Sequence, residues 1–130
     1  MFEIQIEPRE EYTVFRPVGE LDSASISKFR KALHDNANRG RLVIDLSSLR
    51  RVDTLALAAL AGGVRLIRER GGQAAISCGE SRVLTLLNST GLDRVVPHAQ
   101  TIREAVGFWR ANGPSELGPP DELRSAKRSR

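Results

Sequence analysis

Three consecutive apolar residues with no polar alternation, Leu42-Val43-Ile44, are followed across a short polar stretch by the nearly all-apolar run Leu55-Ala56-Leu57-Ala58-Ala59-Leu60. A strand that does not alternate has no face to give to water, so it belongs deep in a sheet covered on both sides. The run after it changes period. Leu57, Leu60, Ala61, Val64 and Ile67 form a helical stripe with Arg65, Arg68 and Glu69 opposite, which predicts a helix from Thr54 to about Glu69, stopped by Gly71-Gly72. A buried strand, a loop and a helix in succession fit an α/β fold. The Gly62-Gly63 pair inside this helix costs about 1 kcal/mol per residue relative to Ala. Close approach to the sheet or to a neighbouring helix is the expected compensation.

The flanking segments fit the same plan. Phe2-Glu3-Ile4-Gln5-Ile6 alternates with period two and Tyr12-Thr13-Val14-Phe15-Arg16-Pro17-Val18 is a second β-rich run, so the pair reads as a hairpin turned at Pro8–Glu11. Ile26, Phe29, Leu33 and Ala37 mark a helix, with Asp22 or Ser23 as its expected N-cap and Gly40 beyond its end. Gln73–Ser77 predicts another strand, and Ser81 is the expected cap of a helix carrying Val83, Leu84 and Leu87 and ended by Gly91. Leu92–Val96 is expected to add a short edge strand closed by Pro97. Thr101 and Glu104 have the spacing of a capping box ahead of Ala105, Val106, Phe108 and Trp109. The order ββαβαβα(β)α predicts an α/β domain over residues 1–112 with a mixed sheet. Residues 113–130, rich in Pro and Gly and then basic, are expected to form a flexible C-terminal tail.

Composition removes several function classes. At 130 residues the chain suits one domain that needs no disulfide, and its single Cys78 cannot form an internal one. The N-terminus lacks the basic start and apolar run of a secretory signal, so a cytoplasmic location is expected. The longest nearly apolar stretch, Leu55–Val64, is far below the roughly 20 residues of a membrane span. The formal charge of +4 is spread out: 16 basic residues against 13 acidic in 1–112, and 4 against 3 after. No aromatic-and-basic face accompanies it, which argues against direct nucleic-acid binding. His34, His98 and Cys78 have neither zinc-ligand spacing nor a nucleophile pattern, and no Gly-rich phosphate loop is present. No cofactor, metal or catalytic residue is therefore expected.

The junction Val52-Asp53-Thr54-Leu55 is where the chain invites a partner. A helix start carries unpaired N–H groups and a partial positive charge, so a hydroxyl at Thr54 sits where a phosphate can be added and read. Thr54 reads equally as a plain N-cap, and Asp22 and Asp53 as turn or cap residues. The turns from Leu55 to Ala61 are apolar almost all round, more than one sheet can cover, which makes Leu55, Ala56 and Leu57 candidates for docking area or for core.

Five segments, Val18-Gly19-Glu20-Leu21-Asp22, Leu42–Leu46, Val52-Asp53-Thr54, Arg70-Gly71-Gly72 and Leu86–Leu92, in this order and separation, resemble the STAS domain of bacterial anti-sigma factor antagonists over about residues 3–110. The resemblance implies a four- to five-stranded sheet flanked by about four helices and no enzymatic activity, while the length and mixed surface charge suit a soluble monomer or weak dimer. It also implies a partner switch. The unmodified antagonist binds an anti-sigma factor that is also a serine kinase, phosphorylation breaks that complex, and a phosphatase restores it. Carried onto this sequence, the phosphoacceptor falls on Thr54, the Asp before it on Asp53, and the acidic residue near the site on Asp22. Where the family follows its acceptor with a small hydroxyl residue and Gly, this chain has Leu55 and Ala56. A scaffold or decoy without the phosphoswitch, or a small-ligand-sensing STAS module, are the alternatives.

Overall fold

The computed structural model describes residues 1–112, with side chains through Trp109, so the expectation of a flexible tail at 113–130 lies outside the described residues. Across them run β1 (Phe2–Pro8), β2 (Thr13–Leu21), α1 (Ile26–Asn36), β3 (Arg41–Asp45), β4 (Leu49–Val52), α2 (Thr54–Glu69), β5 (Gln73–Ser77), α3 (Ser81–Thr90), β6 (His98–Ala99) and α4 (Ile102–Asn112). The sheet has the order β1-β2-β3-β5-β6, with β4 paired to β2. Only β1 and β2 are antiparallel, in the register Phe2↔Gly19 to Pro8↔Thr13, as a hairpin requires; every other pairing is parallel. The mixed sheet and the four helices are those the sequence predicts, with six strands instead of four or five among the described residues.

Alternation along the central strands explains their apolar composition. Leu42, Ile44, Ala74 and Ile76 belong to the main core with Phe29 and Leu33 of α1, Leu57, Leu60, Val64 and Ile67 of α2, and Val83 and Leu87 of α3. Val43 and Ala75 point the other way, into a second cluster with Ala105, Val106 and Trp109 of α4. The sheet is therefore covered on both faces, and β3 has no residue to spare for solvent. The glycine pair of α2 divides in function. A Cβ on Gly63 would lie 2.5 Å from Leu33 Cδ1, so α1 packs against that point, whereas a Cβ on Gly62 would meet nothing within 4 Å.

Four expectations need correction. Leu49–Val52 forms a strand that the sequence pattern does not predict. It is four residues long with exposed Arg50 and Arg51, too short and too charged to show a period, and it forms because the C-terminal half of β2 extends past β3 and offers Gly19–Leu21 for pairing. Leu92–Val96 is not an edge strand. Gly91, at φ +78, turns the chain out of α3 into a 3-10 turn at Leu92–Arg94, Leu92 enters the core, and the sheet edge beside β5 is taken by His98–Ala99. The N-cap of α1 is Ser25, while Asp22 closes the turn before it by accepting the Ala24 N–H at 3.0 Å. The N-cap of α3 is Glu80, with Ser81 the first helical residue. The capping box at α4 is present: Glu104 N–H donates to Thr101 Oγ1 at 3.1 Å, and the Glu104 carboxylate accepts from the Gln100 N–H, one residue earlier than the usual partner.

Candidate functional site

Two parallel strand ends create the candidate site. β2 and β4 finish in register at Leu21↔Val52, and the Asp53 N–H donates to the Leu21 carbonyl at 3.0 Å, extending the ladder by one bond. Asp22 and Asp53 are the next residues on each strand. Each directly follows the last paired residue of its strand, Leu21 or Val52, whose backbones lie about 5 Å apart as in any strand pair. That last ladder bond holds Asp53 extended (φ −85°, ψ 153°), so it is the N-cap of α2 and Thr54 the first helical residue. The expected N-cap role of Thr54 is thus displaced by one position. Asp53 makes no side-chain cap hydrogen bond, and its carboxylate instead faces Arg51, Nε to Oδ1 3.6 Å.

Thr54 is exposed, Asp22 and Asp53 are half-buried, and Leu55 is 71% exposed. Ala56 and Leu57 point inward. At 0% and 3% exposure both belong to the main core, so the expectation that they form docking area fails for their side chains, because the helix turns that flank of its apolar run onto the sheet. The Ala56 methyl consequently does not face solvent. Leu55 does.

Arginines that the sequence reading passed over shape the charge around this end of the sheet. Arg50 pairs with Glu20 at 2.6 Å and Arg51 with Asp53 at 3.6 Å, so an acid on β2 and the N-cap of α2 each have a basic neighbour on β4. The signal available was the Arg50-Arg51 doublet directly ahead of Val52-Asp53. Deeper in the sheet, Asp45 at the end of β3 accepts from Arg16 Nε at 2.9 Å, from Ser77 Oγ at 3.0 Å, and from Ser47 through both N–H and Oγ. Burial pushes its carboxyl up, but the hydrogen bonds from Ser47, Arg16 and Ser77 outweigh it and hold Asp45 below the usual carboxylate range. This network ties β2, β3 and β5 together at the edge from which the loop to β4 departs.

Other candidate chemistry is placed elsewhere. Cys78 is fully buried just after β5, and burial pushes its thiol up, away from reactivity. His34 lies exposed on α1 and His98 exposed on β6, in different parts of the molecule. Among the described residues no group of three or more His, Cys, Asp and Glu is arranged to hold a metal ion, and no helix is long and apolar enough to cross a membrane.

Comparison with known proteins agrees with this architecture. The STAS domain family model matches residues 3–105. A Thermotoga neapolitana protein assigned to the anti-sigma factor antagonists as a TM1081 homologue is 27% identical over 100 residues, which are 75% of this chain and 88% of that protein. Among solved structures, an anti-sigma factor antagonist from Mycobacterium paratuberculosis superposes with a TM-score of 0.78 at 21% identity, covering 85% of this chain and 95% of that one. The anti-sigma factor antagonist SpoIIAA in its unphosphorylated form gives 0.68 at 19% identity, covering 84% and 97%. The same Bacillus protein in its phosphorylated form gives 0.61 at 19%, covering 82% and 98%. With the family model spanning all six strands and reaching into α4, the chain belongs to the STAS domain family.

Proposed function

We propose that this protein is an anti-sigma factor antagonist of a bacterial partner switch, acting in the cytoplasm as a non-catalytic binding module. Unmodified, it binds an anti-sigma factor that is also a serine kinase; phosphorylation at Thr54 ends that binding, and a phosphatase restores it. The observation that carries the reading is the exposed Thr54 at the first position of α2, beside two acids that leave adjacent paired strand ends. A phosphate there would add about −1.5 to −2 charge at pH 7. The helix dipole and Arg51 would offset part of that charge within the molecule, so the fold is retained. A partner surface fitted to neutral Thr54 and to the exposed Leu55 would lose its fit. The surface assigned to docking is Asp22, Asp53, Thr54 and Leu55, with the buried Ala56 and Leu57 holding the helix start in place.

The test is incubation with each anti-sigma factor kinase of the source genome and ATP, read by mass spectrometry, alongside affinity capture with wild type, Thr54→Ala and Thr54→Glu. Modification at Thr54 alone, capture by wild type and Thr54→Ala, and loss with Thr54→Glu are expected. Capture of all three with no modification would instead support the scaffold reading, which the bulky exposed Leu55 beside the acceptor favours.

A further inference from the structure

Between β4 and α3 the surface opens into a groove of about 410 Å³ that the switch site does not use. Its floor is apolar: Leu49, Val52, Val83 and Leu86. Its rim is cationic: Arg50, Arg51 and Arg82 line it, and no acidic residue does. These guanidinium groups are open to solvent, with side chains 67%, 67% and 73% exposed. Each has an intramolecular carboxylate within reach, Glu20 at 2.6 Å, Asp53 at 3.6 Å and Glu80 at 3.5 Å. Such exposed pairs contribute little to stability and exchange readily for an incoming carboxylate. Val52 on its floor directly precedes Asp53 and Thr54 in the chain.

We infer that the β4–α3 groove docks a protein segment carrying carboxylates around an apolar anchor, and that this segment belongs to the same partner that meets Thr54. The apolar residue would fill the floor over Leu49 and Leu86, and the carboxylates would pair with Arg50, Arg51 and Arg82, bidentate geometry being what a guanidinium offers. This rests on the reading that the partner engages the start of α2, and it adds the chemistry of the partner's contact. It also supplies a way for phosphate to act at a distance. A dianion on Thr54 repels an acidic segment lying alongside and competes with it for Arg51, so one modification opposes docking along the whole groove.

Two measurements test it. In the first, affinity for the captured anti-sigma factor is compared for wild type, the triple variant Arg50→Glu/Arg51→Glu/Arg82→Glu, Arg82→Glu alone, and the three corresponding Arg→Lys changes, with circular dichroism confirming each fold. Expected are a loss of at least about tenfold for the triple variant, about threefold for Arg82→Glu, and a smaller loss for Arg→Lys, with wild-type affinity falling as salt rises. Affinity unchanged by the triple variant but lost with Thr54→Glu overturns the groove and leaves the switch standing; the reverse pattern removes the switch and keeps the groove. In the second, ¹⁵N-labelled protein is titrated with a synthetic helical peptide of alternating Leu-Leu and Glu-Glu pairs and with its Lys-Lys counterpart, which decides the matter even where no anti-sigma factor binds. Shifts confined to Leu49–Val52 and Arg82–Leu86 with the acidic peptide alone support the proposal. No shifts at millimolar peptide, equal shifts with the basic peptide, displacement by a single-stranded oligonucleotide, or dimer-dependent shifts at these amides would overturn it.

Discussion

Asp45 and Thr54 are both polar residues at the end of the sheet, and their surroundings give them opposite roles. Asp45 is 5% exposed and fully engaged, with Arg16, Ser47 and Ser77 donating to it, so it is structural. Replacing it by Ala strands the half-buried Arg16 guanidinium with Glu7 and Gln5 alone, and a cost of about 3 kcal/mol is expected in urea unfolding at neutral pH. The pH dependence has a definite sign. Because the folded-state pKa of Asp45 is lowered, its contribution is complete above the unfolded value of about 3.9 and disappears as pH falls through the folded value. Wild type should therefore lose stability steadily on acidification below about pH 4, and Asp45→Asn should show a shallower decline across the same window. Thr54 stands at the other extreme, exposed one position inside the helix, with Asp53 occupying the N-cap. Sequence alone reads Ser, Thr, Asp and Asn alike as caps, and which of two neighbours takes the position was decided by a bond it does not show, Asp53 N–H to the Leu21 carbonyl.

Helices were legible because their stripes are long. Ile26, Phe29 and Leu33 in α1, with Ala37 just past its end, and Leu57, Leu60, Ala61, Val64 and Ile67 in α2 repeat over about three turns; Ile26 and Ala61 are half-buried and the others buried. β4 and β6 were not legible, since strands of four and two residues contain no full period and exist only because a neighbouring strand offers a free edge. The same limit hid the β4–α3 groove, whose floor and rim come from segments thirty residues apart and acquire meaning only once β4 is paired. Within α2, the adjacent glycines look equivalent in sequence and differ in space, which gives opposite expectations for one substitution. Gly62→Ala adds a methyl to open surface and should stabilise by about 1 kcal/mol through helix propensity. Gly63→Ala drives a methyl to 2.5 Å from Leu33 Cδ1, with Leu33 Cγ at 3.2 Å behind it. The resulting overpacking of about 1–3 kcal/mol should exceed the propensity gain, as Leu33 must shift to make room. Urea midpoints of the two variants on opposite sides of wild type are the expected result; a stabilised Gly63→Ala would mean that α1 shifts freely against α2.

The two-sided cover of the sheet keeps stability and recognition apart. α4 packs on Val43 and Ala75, the face turned away from α2, and Trp109 is 4% exposed there with the Arg41 guanidinium 5.7 Å from its ring centroid. Thr54 and Leu55 lie at the ends of the parallel strands, outside both cores. If a partner docks there as proposed, it draws on positions that contribute little to the folded state, so a charge at Thr54 would not threaten the fold. Trp109→Ala opens the α4 face and should lower stability by about 3–5 kcal/mol. Because β3 contributes to both cores, the loss should appear as a lower midpoint of a single transition with an unchanged urea slope. Held well below its midpoint, that variant should still bind the anti-sigma factor with wild-type affinity. Thr54→Glu should do the opposite, keeping the unfolding midpoint within about 1 kcal/mol of wild type while losing the partner. Unfolding curves and partner titrations on the same two variants check both halves. If Trp109→Ala lost binding while folded, or Thr54→Glu lost stability in step with binding, the switch would be acting through the core and not at the surface where α2 begins.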